Sequence, residues 1–192
     1  MKSPNPIQVR ARRSRGSSLV EFALLLPILL VLVFATIDLG RAIQLYNILV
    51  NMSREGANLA ARTDSSPSFI IDALNGTASA IDMPQNGMIY LTRLVGHQVD
   101  SKCLTDCTIE VQVKEHTRAS AGAFDLNSQV YSCSSWTSAG RCNLPHQLPT
   151  VAWPMPLRDG EEVRAVEAIY DYVPVTGLGL TSGRVLYART IL

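Results

Sequence analysis

The sequence predicts an α+β chain: a long N-terminal helix, membrane-spanning in its first half and amphipathic in its second, then a small antiparallel sheet with disulfide-fastened loops. Three observations carry this reading. Residues 19–37 form an almost uncharged apolar run behind a basic head. Apolar and small residues then recur at three- and four-residue spacing to about position 62. The remainder alternates in short segments and holds all four cysteines. A length of 192 residues fits one domain of about 100–200 residues with an appendage. With 17% charged and 47% hydrophobic residues and a mean hydropathy of +0.14, the chain is too apolar to be disordered throughout.

The net charge of +1 conceals an asymmetry. Residues 1–16 carry Lys2, Arg10, Arg12, Arg13 and Arg15 and no acid, leaving twelve basic against sixteen acidic residues beyond Gly16, a body of −4. A nucleic-acid-binding domain places its positive charge on the folded part, so that class is excluded as a partner.

The basic head instead orients a membrane helix. Leu19 to Ile37 spans 19 residues with one ionisable group, Glu21, close to the roughly 20 needed to cross a bilayer. Five preceding positive charges place the N-terminus in the cytoplasm and the bulk of the chain across the membrane. A cleaved secretory signal is disfavoured, because Ala35-Thr36-Ile37-Asp38 lacks the second small residue that cleavage requires. Glu21 has two readings: a carboxylate snorkelling to the headgroups, or one that meets a positive partner inside a helical assembly.

The helix is expected to continue past the membrane. Leu39, Ala42/Ile43, Tyr46, Leu49/Val50, Ser53, Ala57 and Ala60 form a candidate packing face, Leu39 to Ala60, with Asp38, Arg41, Gln44 and Asn47 between them. This divides the chain into a leader (1–16), a helix (17–62, membrane part about 19–37, amphipathic part 38–62) and an extracytoplasmic domain (63–192). Pro27 lies inside the helix, where it removes one hydrogen bond and favours a kink that membrane helices tolerate. A break at 63–68 precedes a second helix from Pro67 to Ile81, with Phe69, Ile70, Leu74, Ala78 and Ile81 on its packed face. Asn86-Gly87 reads as a turn.

Four strands are predicted: 88–95; 108–115, with Ile109, Val111 and Val113 on one side; 162–173, with Val166, Ala168, Tyr170 and Tyr172 in phase; and 183–192. Residues 119–160, rich in Ser, Asn, Gly and Pro, read as an irregular region.

Cys103, Cys107, Cys133 and Cys142 all fall on the side expected to be oxidising, so two disulfides are expected. Of three pairings, Cys103–Cys107 with Cys133–Cys142 is preferred because each closes a local loop. Zinc held by these cysteines with His116 or His146 is disfavoured, for no paired short spacing is present. No catalytic constellation or phosphate-binding glycine loop occurs, so neither an enzyme nor a cofactor or metal is expected.

The string Arg15-Gly16-Ser17-Ser18-Leu19-Val20-Glu21-Phe22 resembles the processing motif of type IV pilin-like proteins. With Val20–Pro27, Ile37-Asp38-Leu39-Gly40-Arg41 and Arg54-Glu55-Gly56-Ala57, it is similar to the TadE-like family of the Tad/Flp tight adherence pilus system, over about residues 16–62. The C-terminal Tyr-Asp-Tyr-Val-Pro-Val segment is loosely similar to the family's ending. The resemblance implies a minor pilin or pseudopilin without enzymatic activity, cut between Gly16 and Ser17 by a prepilin peptidase. It would act in pilus assembly and surface adhesion. Glu21 and Phe22 become assembly residues, Glu21 standing fifth from the new terminus and neutralising an amine of its own or a neighbouring subunit. The implied partners are the peptidase, other pilus subunits or minor pilins met through the N-terminal helix, and inner-membrane lipid. The implied site is the bacterial inner membrane and, after assembly, the pilus or cell surface. The alternative is an unprocessed, signal-anchored extracytoplasmic interaction protein of the secretion machine.

Overall fold

The computed structural model describes residues 17–78, 81–100, 102–103, 107–119, 126–174 and 184–192. The basic leader and Gly16, the residues between Ala119 and Leu126 in the irregular region, and Gly183 at the start of the fourth expected strand lie outside the described residues.

Helix α1 (Ser17–Arg62) is continuous over 46 residues, about 69 Å at 1.5 Å per residue. It runs through Pro27, whose missing amide leaves the Ala23 carbonyl without its usual helical donor. Thr63 closes its end, donating from both its amide and its hydroxyl to the Leu59 carbonyl. After a three-residue break, Ser66 caps helix α2 (Pro67–Thr77) by accepting from the Phe69 amide, with Pro67 in the first turn. This helix stops before Ile81, the end expected from the sequence, because Asn75-Gly76 has low helix propensity. Its buried residues are Ile70, Ile71 and Leu74, and Phe69, expected on the packed face, is exposed. Asn86-Gly87 forms no hairpin: it joins the one-turn helix α3 (Met83–Asn86) to the first strand.

The sheet is antiparallel and five-stranded, in the order β3-β2-β1-β4-β5. Its members are β1 (Gly87–Gln98), β2 (Ile109–Arg118), the two-residue β3 (Thr150–Val151), β4 (Glu162–Tyr172) and β5 (Arg184–Ile191). Sequence reading missed β3, too short to show a period.

Two layers sandwich the sheet. On one face Ile89, Leu91, Val166, Ala168, Tyr170, Tyr172 and Ala188 pack against Leu49, Met52, Ala57 and Ala60 of α1 and the buried side of α2. On the other, Leu94, Val111 and Val113 lie under Tyr131, Leu144, Trp153 and Leu157, while Met88, Tyr90 and Ile169 lie under Leu126 and Trp136. The irregular region is therefore the outer layer of the core. Strands covered on both faces read as near-continuous apolar runs, as Met88–Leu91 of β1 does.

A bulge sets the phase of β2. Arg93 opposes Glu115 but Leu94 opposes Val113, so Lys114 is the extra residue. The shift brings His116 to the same face as Val111 and Val113, where strict alternation would have placed Glu115. It also lets Lys114 reach Glu162, whose carboxylate is shared with Arg93 at 2.8 Å. These two cations hold the Glu162 carboxyl down to about 2, the Arg93 bond contributing most.

Candidate assembly interface

From Leu19 to Phe34 every residue of α1 is exposed among the described residues. Leu19, Phe22, Leu24 and Leu25 are more than half exposed, as are Ile28 and Leu32. This stretch is long and apolar enough to cross a membrane, and 19 residues at 1.5 Å each match the roughly 30 Å hydrocarbon core. Glu21 and Phe22 stand at exposed positions near its start. The distance along the helix from Glu21 to Asp38, where the domain begins, is about 25 Å. The assembly residues expected from the sequence are thus separate from the disulfide-bonded loops.

The C-terminal half docks along a face different from the one expected. Leu39, Ile43 and Tyr46 are exposed. The docked positions run through buried Asp38, Leu49, Met52/Ser53, Gly56/Ala57 and Ala60, with Ala42 and Leu45 partly buried. Shared positions at 42, 49, 53, 57 and 60 hide the difference, which lies in the first two turns. Small residues decide it, because they allow the helix axis to approach the sheet. A Cβ on Gly56 would meet Leu74 Cδ1 at 2.7 Å and Val166 Cγ1 at 3.0 Å, so Gly56 is where α1, α2 and β4 meet.

Polar contacts fix this docking at two heights. The Tyr172 hydroxyl donates to the Asp38 carbonyl at 3.0 Å, and the Ser53 and Thr190 hydroxyls are 2.9 Å apart. Burial, with the nearby Asp38 charge, pushes the Tyr172 hydroxyl above its ordinary range. Asp38 is buried although it follows the apolar run directly, so the folded domain starts where that run ends. What remains on the outer side of the helix is an apolar stripe, Leu39, Ile43 and Tyr46, continuous with the bare membrane half.

The outer layer is fastened by buried polar groups that carry no catalytic geometry. Glu167, fully buried, accepts from the Ser128 hydroxyl, from the Gln129 amide at 2.9 Å and from the Tyr187 hydroxyl at 2.8 Å. His116, also fully buried, pairs through Nδ1 with the Thr92 hydroxyl at 2.7 Å. It stacks on Tyr90 at 5.2 Å and meets Tyr131 edge-on at 5.6 Å. Burial lowers its pKa to about 4. Arg118 covers the Trp136 ring at 4.5 Å.

Cys103 is bonded to Cys107, and Cys133 to Cys142. The four cysteines therefore offer no thiolate ligands, and among the described residues no group of His, Cys, Asp or Glu converges as a metal site. Sequence reasoning missed Asp38, Gly56 and Glu167 as packing residues. Only Gly56 left a signal, a glycine inside an otherwise regular helical pattern, which marks a close approach.

No curated protein and no solved structure matches the chain. Residues 16–58, from the glycine before the apolar helix to the segment docked through Gly56 and Ala57, match the family model described as TadE-like protein, and over that segment the chain is similar to that family.

Proposed function

We propose that the chain is a minor pilin or pseudopilin of a Tad/Flp pilus, matured by cleavage between Gly16 and Ser17, which takes part in pilus assembly and surface adhesion. The TadE-like match associates it with the Tad pilus, and that family is not known to be enzymatic. One observation carries the finer reading: a single helix whose first half is bare and apolar while its second half is docked on a sheet. A static anchor needs only a span. A subunit that must leave the bilayer and pack among others needs an apolar helix that stays accessible to partners once lipid is gone.

Each residue then has a task. Gly16 has no side chain, so the extended backbone approaches the peptidase's acidic centre closely. Cleavage removes the five basic residues, which would otherwise hold the helix to the cytoplasmic side. It also exposes an amine at Ser17 with a pKa near 8, a charge that Glu21 neutralises within the assembly. Phe22 and the Leu39–Ile43–Tyr46 stripe contact neighbouring helices.

Gly16→Ala is expected to block maturation. Glu21→Ala is expected to impair assembly yet insert normally, since losing a charge favours an apolar helix. Wild-type behaviour of both variants would favour the unprocessed anchor of the secretion machine.

A further inference from the structure

A cavity of about 280 Å³ opens where α1 ends, walled by the Thr63–Ser66 turn and floored by β1, β2 and β4. Ala60, on its rim, lies 23 residues beyond Ile37, about 35 Å along the helix from the apolar span. It therefore faces away from the membrane.

The floor carries a row of charges across three strands: Glu115, Arg93 and Arg164 stand opposite one another. Two of them are neutralised. Arg93 donates twice to Glu162, at 2.8 and 3.0 Å, and Glu115 takes Arg141 at 3.0 Å. Arg164 has no ion pair or side-chain hydrogen bond among the described residues, and it faces Arg93 directly. Like charges directly opposite destabilise a sheet, so packing does not explain Arg164. With Arg93 paired to Glu162 and Arg141 to Glu115, the lining charges left over are Arg164 and Asp64.

We propose that this cleft binds a uronic-acid unit of an acidic polysaccharide, with Arg164 taking the carboxylate. The guanidinium fork matches a carboxylate in a two-bonded geometry. Asp64 and Glu115 repel a dianion, which disfavours phosphate, and the one guanidinium left without an ion pair suits a monoanion. Asp64 and the Ser65 hydroxyl can accept and donate to ring hydroxyls. The volume lies just below the roughly 300–1,000 Å³ typical of drug-sized ligands, which fits one sugar ring. Arg141, next to Cys142, forms the lip, so the Cys133–Cys142 bond holds one side of the site. The inference does not depend on cleavage at Gly16.

The test titrates the full chain in detergent micelles with galacturonate, galactose, inorganic phosphate and tetragalacturonate, read by saturation-transfer NMR. Galacturonate should bind about tenfold or more tighter than galactose or phosphate, and tetragalacturonate tighter than the monomer. Arg164→Gln should lose about tenfold or more in affinity while Tm rises by about 1–3 °C, as the like-charge pair with Arg93 is relieved. Arg164→Lys should fall between, keeping charge but not the fork. Equal binding of galactose or phosphate, unchanged affinity in Arg164→Gln, or a fall in its Tm alongside binding would each overturn the assignment. A monomer that binds as tightly as the tetramer would overturn the polysaccharide as source in favour of a free sugar acid.

Discussion

His116 and Gly56 show how single residues set the terms of this fold. His116 is held neutral by burial among Tyr90, Tyr131 and Trp136, with its pKa lowered to about 4 from the ordinary 6.5. Between those values the unfolded chain binds a proton that the folded chain refuses. Stability is therefore complete above about pH 6.5 and falls as pH drops toward 4, by an amount on the order of 3 kcal/mol. The Glu162 carboxyl is also depressed, by Arg93 and Lys114 rather than by burial, so its contribution is lost only as pH falls below about 4.5 toward 2. The window from 6.5 to 4.5 thus isolates the histidine. Thermal melts should show that His116→Phe flattens the pH dependence there, and a wild-type slope would remove His116 as its source. Gly56→Ala forces a methyl into the contact with Leu74 and Val166. A cost of about 1–3 kcal/mol is expected from overpacking, read by denaturant unfolding, whereas Gly40→Ala, with open space around its added Cβ, should be neutral or stabilising.

Helix α1 has two apolar faces in its extramembrane half, and only one serves the fold. Leu49 is fully buried against the sheet while Leu39, Ile43 and Tyr46 remain exposed. Leu49→Ala should cost about 2–5 kcal/mol. The triple change of Leu39, Ile43 and Tyr46 to Ser should leave Tm within a few degrees of wild type yet reduce pilus assembly, measured as surface filaments per cell. Normal assembly would show that the stripe contacts lipid alone. The same element marks the limit of sequence reading. The helix, the antiparallel sheet and the in-phase residues of β4 follow from period and composition. The docking face does not, because a hydrophobicity count favours Leu39, Ile43 and Tyr46 over Asp38 and Gly56. Close packing rewards the small residues instead. The β2 bulge at Lys114 and the role of residues 126–158 as an outer layer were equally hidden, since both arise from pairings between distant parts of the chain.

At the scale of the whole molecule, three levels follow one another along α1: an exposed apolar run, a domain that begins at Asp38 where the run ends, and an arginine-lined cleft about 35 Å beyond Ile37. The resemblance read over about residues 16–62 overlaps the matched segment, 16–58, which holds the apolar run, most of the docked helix and the proposed cleavage site. The outer layer and the cleft lie beyond that segment, so what the molecule touches had to come from side-chain geometry rather than from kinship. The proposed function turns on release of the apolar helix from its leader and its entry into an assembly. Intact-mass and N-terminal sequencing, with and without the cognate prepilin peptidase, tests this most directly. The account predicts a chain of 176 residues beginning at Ser17 when the peptidase is active. A chain that keeps Arg10 to Arg15 in its presence would contradict it.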